Sequence, residues 1–139
     1  MAKIKPALNN LELSNLPSQA EAKFYNACQS RLPNDWLVLF SVPWIGTSYS
    51  GKKYDGEADF VIFAPNYGML AVEVKGGGVE FDPSTGKWHS TDRKGVRHEI
   101  KNPFEQAKGE KHALLGILRK HPLWKERGGN RILACHAVM

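Results

Sequence analysis

The sequence predicts an α/β domain in which a mixed central sheet is flanked by helices and carries a small antiparallel insertion. Three observations lead there. Apolar residues recur at helical spacing near residues 18–32 and again near 104–118. Short strand-like runs rich in Val, Ile and Phe lie between and after them. The resulting order of helix, strand, strand, strand, helix, strand combines a hairpin with a helical crossover, which calls for a mixed sheet. The 139 residues suffice for one domain with a real core. Contents of 42% apolar and 24% charged residues are near globular averages and exclude collagen, coiled coil and wholesale disorder.

Residues 1–17 are expected to form a polar, unpatterned N-terminal arm, and residues 18–139 the folded domain. "LPSQAEAKFYNACQSRLP" reads as a helix: Ser18 suits the N-cap, Phe24, Tyr25, Cys28 and Leu32 share one face, and Pro33 stops it. "DWLVLFSVPW" is a buried strand, and residues 46–56, "GTSYSGKKYDG", read as an exposed loop. "EADFVIFAPNYGMLAVEVKGGG" is a hairpin turning through Ala64 to Gly68. "VEFDPSTGKWHSTDRKGVRHEI" holds short runs split by turn residues at 82–86 and 91–95, the expected insertion. Asn102 followed by Pro103 opens the helix "NPFEQAKGEKHALLGILRK". "RILACHAVM" is the last strand.

Several classes are set aside. No apolar run reaches membrane-spanning length, and "MAKIKPALNN" lacks the apolar stretch of a secretory signal, so a cytoplasmic protein without a membrane partner is expected. Cys28 and Cys135 show no CxxC or Cys/His ligand spacing and read as core thiols. The five histidines show no paired ligand spacing either; His121 is expected at a helix C-terminus. Trp88 fits either base stacking or packing on its own sheet. The net charge of +5 favours an anionic partner without naming one.

The hairpin carries the chemistry. Folded symmetrically about Asn66, it sets Phe63 against Met69, Val61 against Ala71 and Asp59 against Glu73. Ala58, Phe60, Ile62, Leu70, Val72 and Val74 then share an apolar core face, while Glu57, Asp59, Glu73 and Lys75 gather at one end of the other. Opposed like charges cost on the order of 0.2 to 1 kcal/mol, so a compensating cation is called for. Two readings fit: a solvated strand end with ordinary ion pairs, or two carboxylates holding one hard cation such as Mg2+ or Mn2+, with Lys75 beside it.

Glu21 completes an S-x-x-E capping pattern with Ser18, yet shares the inward helical face. Gln106 borders the stripe of Phe104, Ala107, Leu114, Leu115 and Leu118, as a flanking polar residue or a contact to the strand ends. Lys111 lies inside that stripe, where it either snorkels or meets phosphate. Lys52 and Lys53 in the loop are candidate phosphate contacts. Gly76 and Gly77 either form a turn or let a nucleic-acid backbone approach.

Asp59 followed by Glu73-Val74-Lys75 after a hairpin resembles the PD-(D/E)xK nuclease superfamily, and "GEADFVIF", "GMLAVEVKGGG" and "KNPFEQAKGEKHALL" resemble the nuclease-related domain (NERD) family. Ala58 stands where the superfamily name has proline. The resemblance implies a restriction-endonuclease-like core, Asp59 and Glu73 as Mg2+ or Mn2+ ligands, Lys75 as the catalytic lysine, Gln106 as a helix-borne polar member and Glu21 as an accessory acid. It further implies hydrolysis of DNA phosphodiester bonds, with a fused or associated helicase as a partner and the chain as the N-terminal part of a longer protein. The rival expectation is a DNA-binding or interaction module that keeps the fold with little activity of its own.

Overall fold

The computed structural model describes residues 1–126 and 132–139. In chain order they form β1 (Lys3–Lys5), α1 (Asn10–Ser14), α2 (Gln19–Arg31), β2 (Leu37–Thr47), β3 (Lys53–Ala64), β4 (Gly68–Glu73), β5 (Gly78–Asp82), β6 (Lys87–Thr91), β7 (Arg97–Ile100), α3 (Pro103–Lys120), α4 (Pro122–Glu126) and β8 (Ala134–Val138). The last strand begins at Ala134, three residues after its expected start at Arg131, which lies outside the described residues.

The main sheet has the order β1-β2-β3-β4-β8. β2, β3 and β4 form an antiparallel meander, β8 returns parallel to β4, and β1 runs parallel to β2. This is the expected mixed sheet. Helix α2 covers one face: Tyr25 and Cys28 pack with Val38, Phe40, Phe60, Ile62, Val72 and Val74. Helix α3 covers the other, where Leu115 meets Ala58, Val61 and Met69. Phe60 is fully buried, with Phe24 and Phe40 at centroid distances of 4.8 and 4.9 Å. Sealing one such ring is worth about 1.5–3 kcal/mol. The insertion is a separate three-stranded sheet, β5-β6-β7, docked through Trp88, whose ring lies 5.6 Å from Phe104 at the start of α3 and 5.2 Å from Phe81. Trp88 thus packs within the protein.

The hairpin register is the expected one from Ala64↔Gly68 to Phe60↔Val72. Its sidedness changes beyond Asp59, so Ala58 and Glu57 both leave their expected faces. Ala58 packs on the α3 side, not with Phe60. The cause lies in β2 and β3 together, whose ladder passes from Phe40↔Phe60 to Val42↔Ala58 and skips Ser41 and Asp59. Ser41 has φ of 54°, a left-handed conformation uncommon outside glycine. Alternation slips on both strands, so Phe40 faces α2 while Val42 faces α3.

Four further expectations need correction. The leader is no loose arm: β1 adds to the sheet edge, and Ala2, Ile4 and Leu13 enter the α2-side core. Asn9 and Glu12 form a reciprocal capping box on α1. Residues 46–56 are largely strand, because Pro43 to Thr47 pair with Lys53 to Glu57 as a two-stranded arm. In that arm the Tyr54 and Trp44 rings lie over Gly46 and Gly56, where side chains would collide with them. Cys135 is exposed on edge strand β8 rather than in the core. Phe104 is also half exposed, since the buried stripe of α3 runs Pro103, Ala107, Glu110 and Leu115. His121, as expected, caps α3, and its Nδ1 accepts the Leu123 N–H.

The fully buried Tyr25 fastens the leader. Its hydroxyl donates to the Pro6 carbonyl and accepts from the Leu8 N–H, both at 2.9 Å. Tyr25→Phe leaves both groups unpaired and is expected to cost about 1–3 kcal/mol in urea denaturation. Faster hydrogen exchange at the Leu8 amide checks that the loss is local.

Candidate active site

The site lies where the sheet divides. Beyond Phe60↔Val72 no further β3–β4 pairs form. From there β3 stays bonded to β2, while β4 stays bonded to β8 through Met139 N–H to Glu73 O and Lys75 N–H to Met139 O. The Val74 N–H, left without a β3 carbonyl, donates instead to Asp59 Oδ2 at 2.8 Å. One side chain therefore bridges the fork and is fixed by it. Lys75 Nζ lies 2.6 Å from Glu73 Oε1, with the lysine side chain 25% exposed and the glutamate 6%.

Helix α2 brings a third acid. Ser18 Oγ accepts the Glu21 N–H at 3.3 Å, but the return bond of a capping box is absent from this cap. The Glu21 carboxylate is near enough to Glu57, Glu73 and Lys75 for their charges to act on it. Its pKa is raised, first by burial, against the lowering effect of the Ser18 hydroxyl, then by the Glu57 and Glu73 charges.

Helix α3 brings a fourth, Glu110, which sequence reasoning missed. Only 5% exposed, it lies close to Glu73, and its Oε2 is buried with no hydrogen-bond partner in reach. Burial first, then Glu73 and Asp59, push its pKa up to about 9. A signal was available: Glu110 falls at i+3 from Ala107 and i−4 from Leu114. A carboxyl in the middle of a buried helical stripe requires a partner. Gln106, one turn earlier on the same face, has a buried Oε1 without a donor.

Asp59 is raised to about 6, by burial above all and then by Glu73 and Glu21, against the Val74 N–H and Lys75. Several acids thus crowd one ammonium in partly buried surroundings, an excess of negative potential that suits a hard cation with oxygen ligands. Among the described residues no three His, Cys, Asp or Glu side chains are gathered closely enough to hold a metal by themselves. Asp59 and Glu73 fit an ion that completes its shell with water and phosphate oxygens, as Mg2+ does.

The other candidates lie apart. Lys52 and Lys53 sit at the tip of the β2–β3 arm, six or more residues along β3 from Asp59 and thus about 20 Å away. Lys111 lies beside His136 on the β8 side and, with Lys108, holds that imidazole below its ordinary pKa, burial being the first cause. Gly77 is needed for backbone reasons: φ is 83°, and a Cβ would meet the Thr91 carbonyl oxygen at 2.5 Å. Gly76 has ordinary space around it.

A sheet split at paired acids, with a lysine two residues beyond the second and a helix over each face, defines a nuclease-like α/β protein with a restriction-endonuclease-like core. The chain belongs to the nuclease-related domain family, whose model matches residues 17–138. No curated protein and no solved structure matches it. No helix among the described residues is long and apolar enough to cross a membrane.

The raised carboxyls fix a pH dependence. In the folded state Glu110 keeps to about pH 9, and Asp59 to about pH 6, protons that the unfolded chain releases near pH 4. The folded state binds more protons in that window, so their contribution to stability falls as pH rises from about 4 to about 9. Glu110→Gln keeps a donor and removes the titration. Thermal melts in EDTA are expected to show a flatter pH profile and a Tm at pH 8 raised by about 4 °C or more, equivalent to roughly 1 kcal/mol.

Proposed function

We propose that the domain is a metal-dependent phosphodiesterase acting on DNA. The observation that carries this reading is the fork, where Asp59 and Glu73 converge with Lys75 at the edge of the excess acid. Asp59 and Glu73 would hold Mg2+ or Mn2+, which supplies Lewis-acid stabilisation of the charge that builds on the phosphate. Lys75, anchored by Glu73 and partly open to solvent, orients the attacking water or neutralises a phosphate oxygen. Asp59 is held in place by the Val74 N–H, which occupies one of its two carboxylate oxygens. Glu110 stands beside Glu73 on the α3 side, and Glu21 on the α2 side would act as an accessory acid; Gln106, one turn before Glu110, would be the helix-borne polar member.

Incubation of the protein with linear, circular and single-stranded DNA, with matched RNA, in Mg2+, Mn2+ or EDTA, tests the proposal. Cleavage is expected with either metal and none with EDTA. Asp59→Asn, Glu73→Gln and Lys75→Met are each expected to lower kcat/KM by about 100-fold or more. Equal rates in all four proteins overturn the assignment. The engagement of Asp59 by Val74 and of Glu73 by Lys75 also suits a second reading, a binding module that keeps the fold without turnover. DNA binding indifferent to Asp59 and Glu73, with no cleavage in any metal, selects that reading.

A further inference from the structure

Beside the fork lies a cleft of about 690 Å³ between the first turn of α2 and the β6–β7 hairpin of the appended sheet. Gly76 and Gly77, which follow Lys75 in the chain, line it, and two Cα steps place it within about 8 Å of that residue. Three cations line it, Lys23 from α2 and Arg93 and Lys94 from the hairpin turn. All three are exposed, and none forms an ion pair among the described residues.

The one acid in the lining, Asp92, is already committed. Its Oδ1 accepts the Lys94 and Val96 N–H groups at 2.8 and 3.0 Å, and its Oδ2 meets His98 Nε2 at 2.9 Å. These bonds, His98 first, lower its pKa and turn its charge into its own turn. Three unpaired cations against one satisfied carboxylate leave the cleft positive, whereas the fork beside it is acidic. Hydroxyls of Ser18, Ser90 and Thr91 supply the rest of a polar wall.

We infer that this cleft holds the phosphate backbone of a nucleic-acid strand on one side of the scissile phosphate, and that the appended β5-β6-β7 sheet serves to carry Arg93 and Lys94 to it. The inference rests on the fork being the site where a strand is cut, and deepens it by giving the strand a direction. Phosphates along a strand repeat every 3.4 Å of duplex axis or somewhat more when extended. A phosphate one or two steps from Lys75 therefore reaches the cleft.

Fluorescence anisotropy with labelled single-stranded and duplex oligonucleotides, in EDTA across a salt series, tests the inference separately from cleavage. The triple variant Lys23→Ala, Arg93→Ala, Lys94→Ala is expected to bind at least tenfold more weakly at low salt. The slope of log K against log salt is expected to become shallower by about two, since each phosphate contact contributes roughly 0.7 to 0.9. Arg93→Glu alone weakens binding in the same direction, while Lys87→Ala, already paired with Glu99 on the same sheet, leaves the slope unchanged. An unchanged slope in the triple variant with native circular dichroism overturns the inference, even if the wild type cleaves DNA. A shallower slope in a protein that never cleaves upholds the cleft and refutes the catalytic reading.

Discussion

The rest of the site depends on one hydrogen bond, from the Val74 N–H to Asp59 Oδ2, at the place where β3 and β4 separate. A central sheet cannot part without leaving backbone groups unpaired, and an unpaired buried N–H costs about 1–3 kcal/mol. Asp59 meets that demand with a side chain. The same act fixes a carboxylate in the opening, beside Glu73, and leaves its second oxygen free. The slip at Ser41 on the neighbouring strand belongs to the same distortion: Ser41 and Asp59 face one another across β2 and β3, and neither enters the ladder.

Around that bond the protein accumulates acid beyond what folding requires. Glu73 and Glu110 are both 5% exposed, and one ammonium, Lys75, serves the group. A purely structural cluster of this depth would be better replaced by apolar residues, because the desolvation of buried charge outweighs the pairing it allows. The raised pKa values of Asp59 and Glu110 express that cost, and a divalent cation would relieve it. Site and fold therefore pull in opposite directions, with the flanking clusters of α2 and α3 supplying the stability that the fork consumes.

Much of this was legible in the sequence. The turn at Ala64 to Gly68 set the pairing of Phe63 with Met69, but the expected pair of Asp59 with Glu73 does not form, because the ladder ends at Phe60↔Val72 and Asp59 turns to the Val74 N–H. The caps Ser18 and Asn102 placed both helices. What escaped was tertiary. Alternation cannot reveal a slip shared by two strands, which is why it places Ala58 on the face opposite to the observed one. Ile4 and Leu13 are too sparse among polar neighbours to signal a core, and only docking on β2 and α2 makes them one. Glu110 was hidden because a glutamate in a helix ordinarily faces water, and its burial follows from how α3 rolls on the sheet. The cleft required Gly76, Lys23 and Arg93 to meet from three separate elements, which spacing alone does not show.

Asp59 and Glu73 are the proposed ligands of a hard divalent cation. Titration of the metal-free protein with Mn2+, followed by the loss of the free-ion electron paramagnetic resonance signal, tests it without reference to turnover. Saturable binding of one or two ions is expected, weakened tenfold or more by Asp59→Asn and by Glu73→Gln. Binding absent from the wild type, or equal in all three proteins, would contradict it.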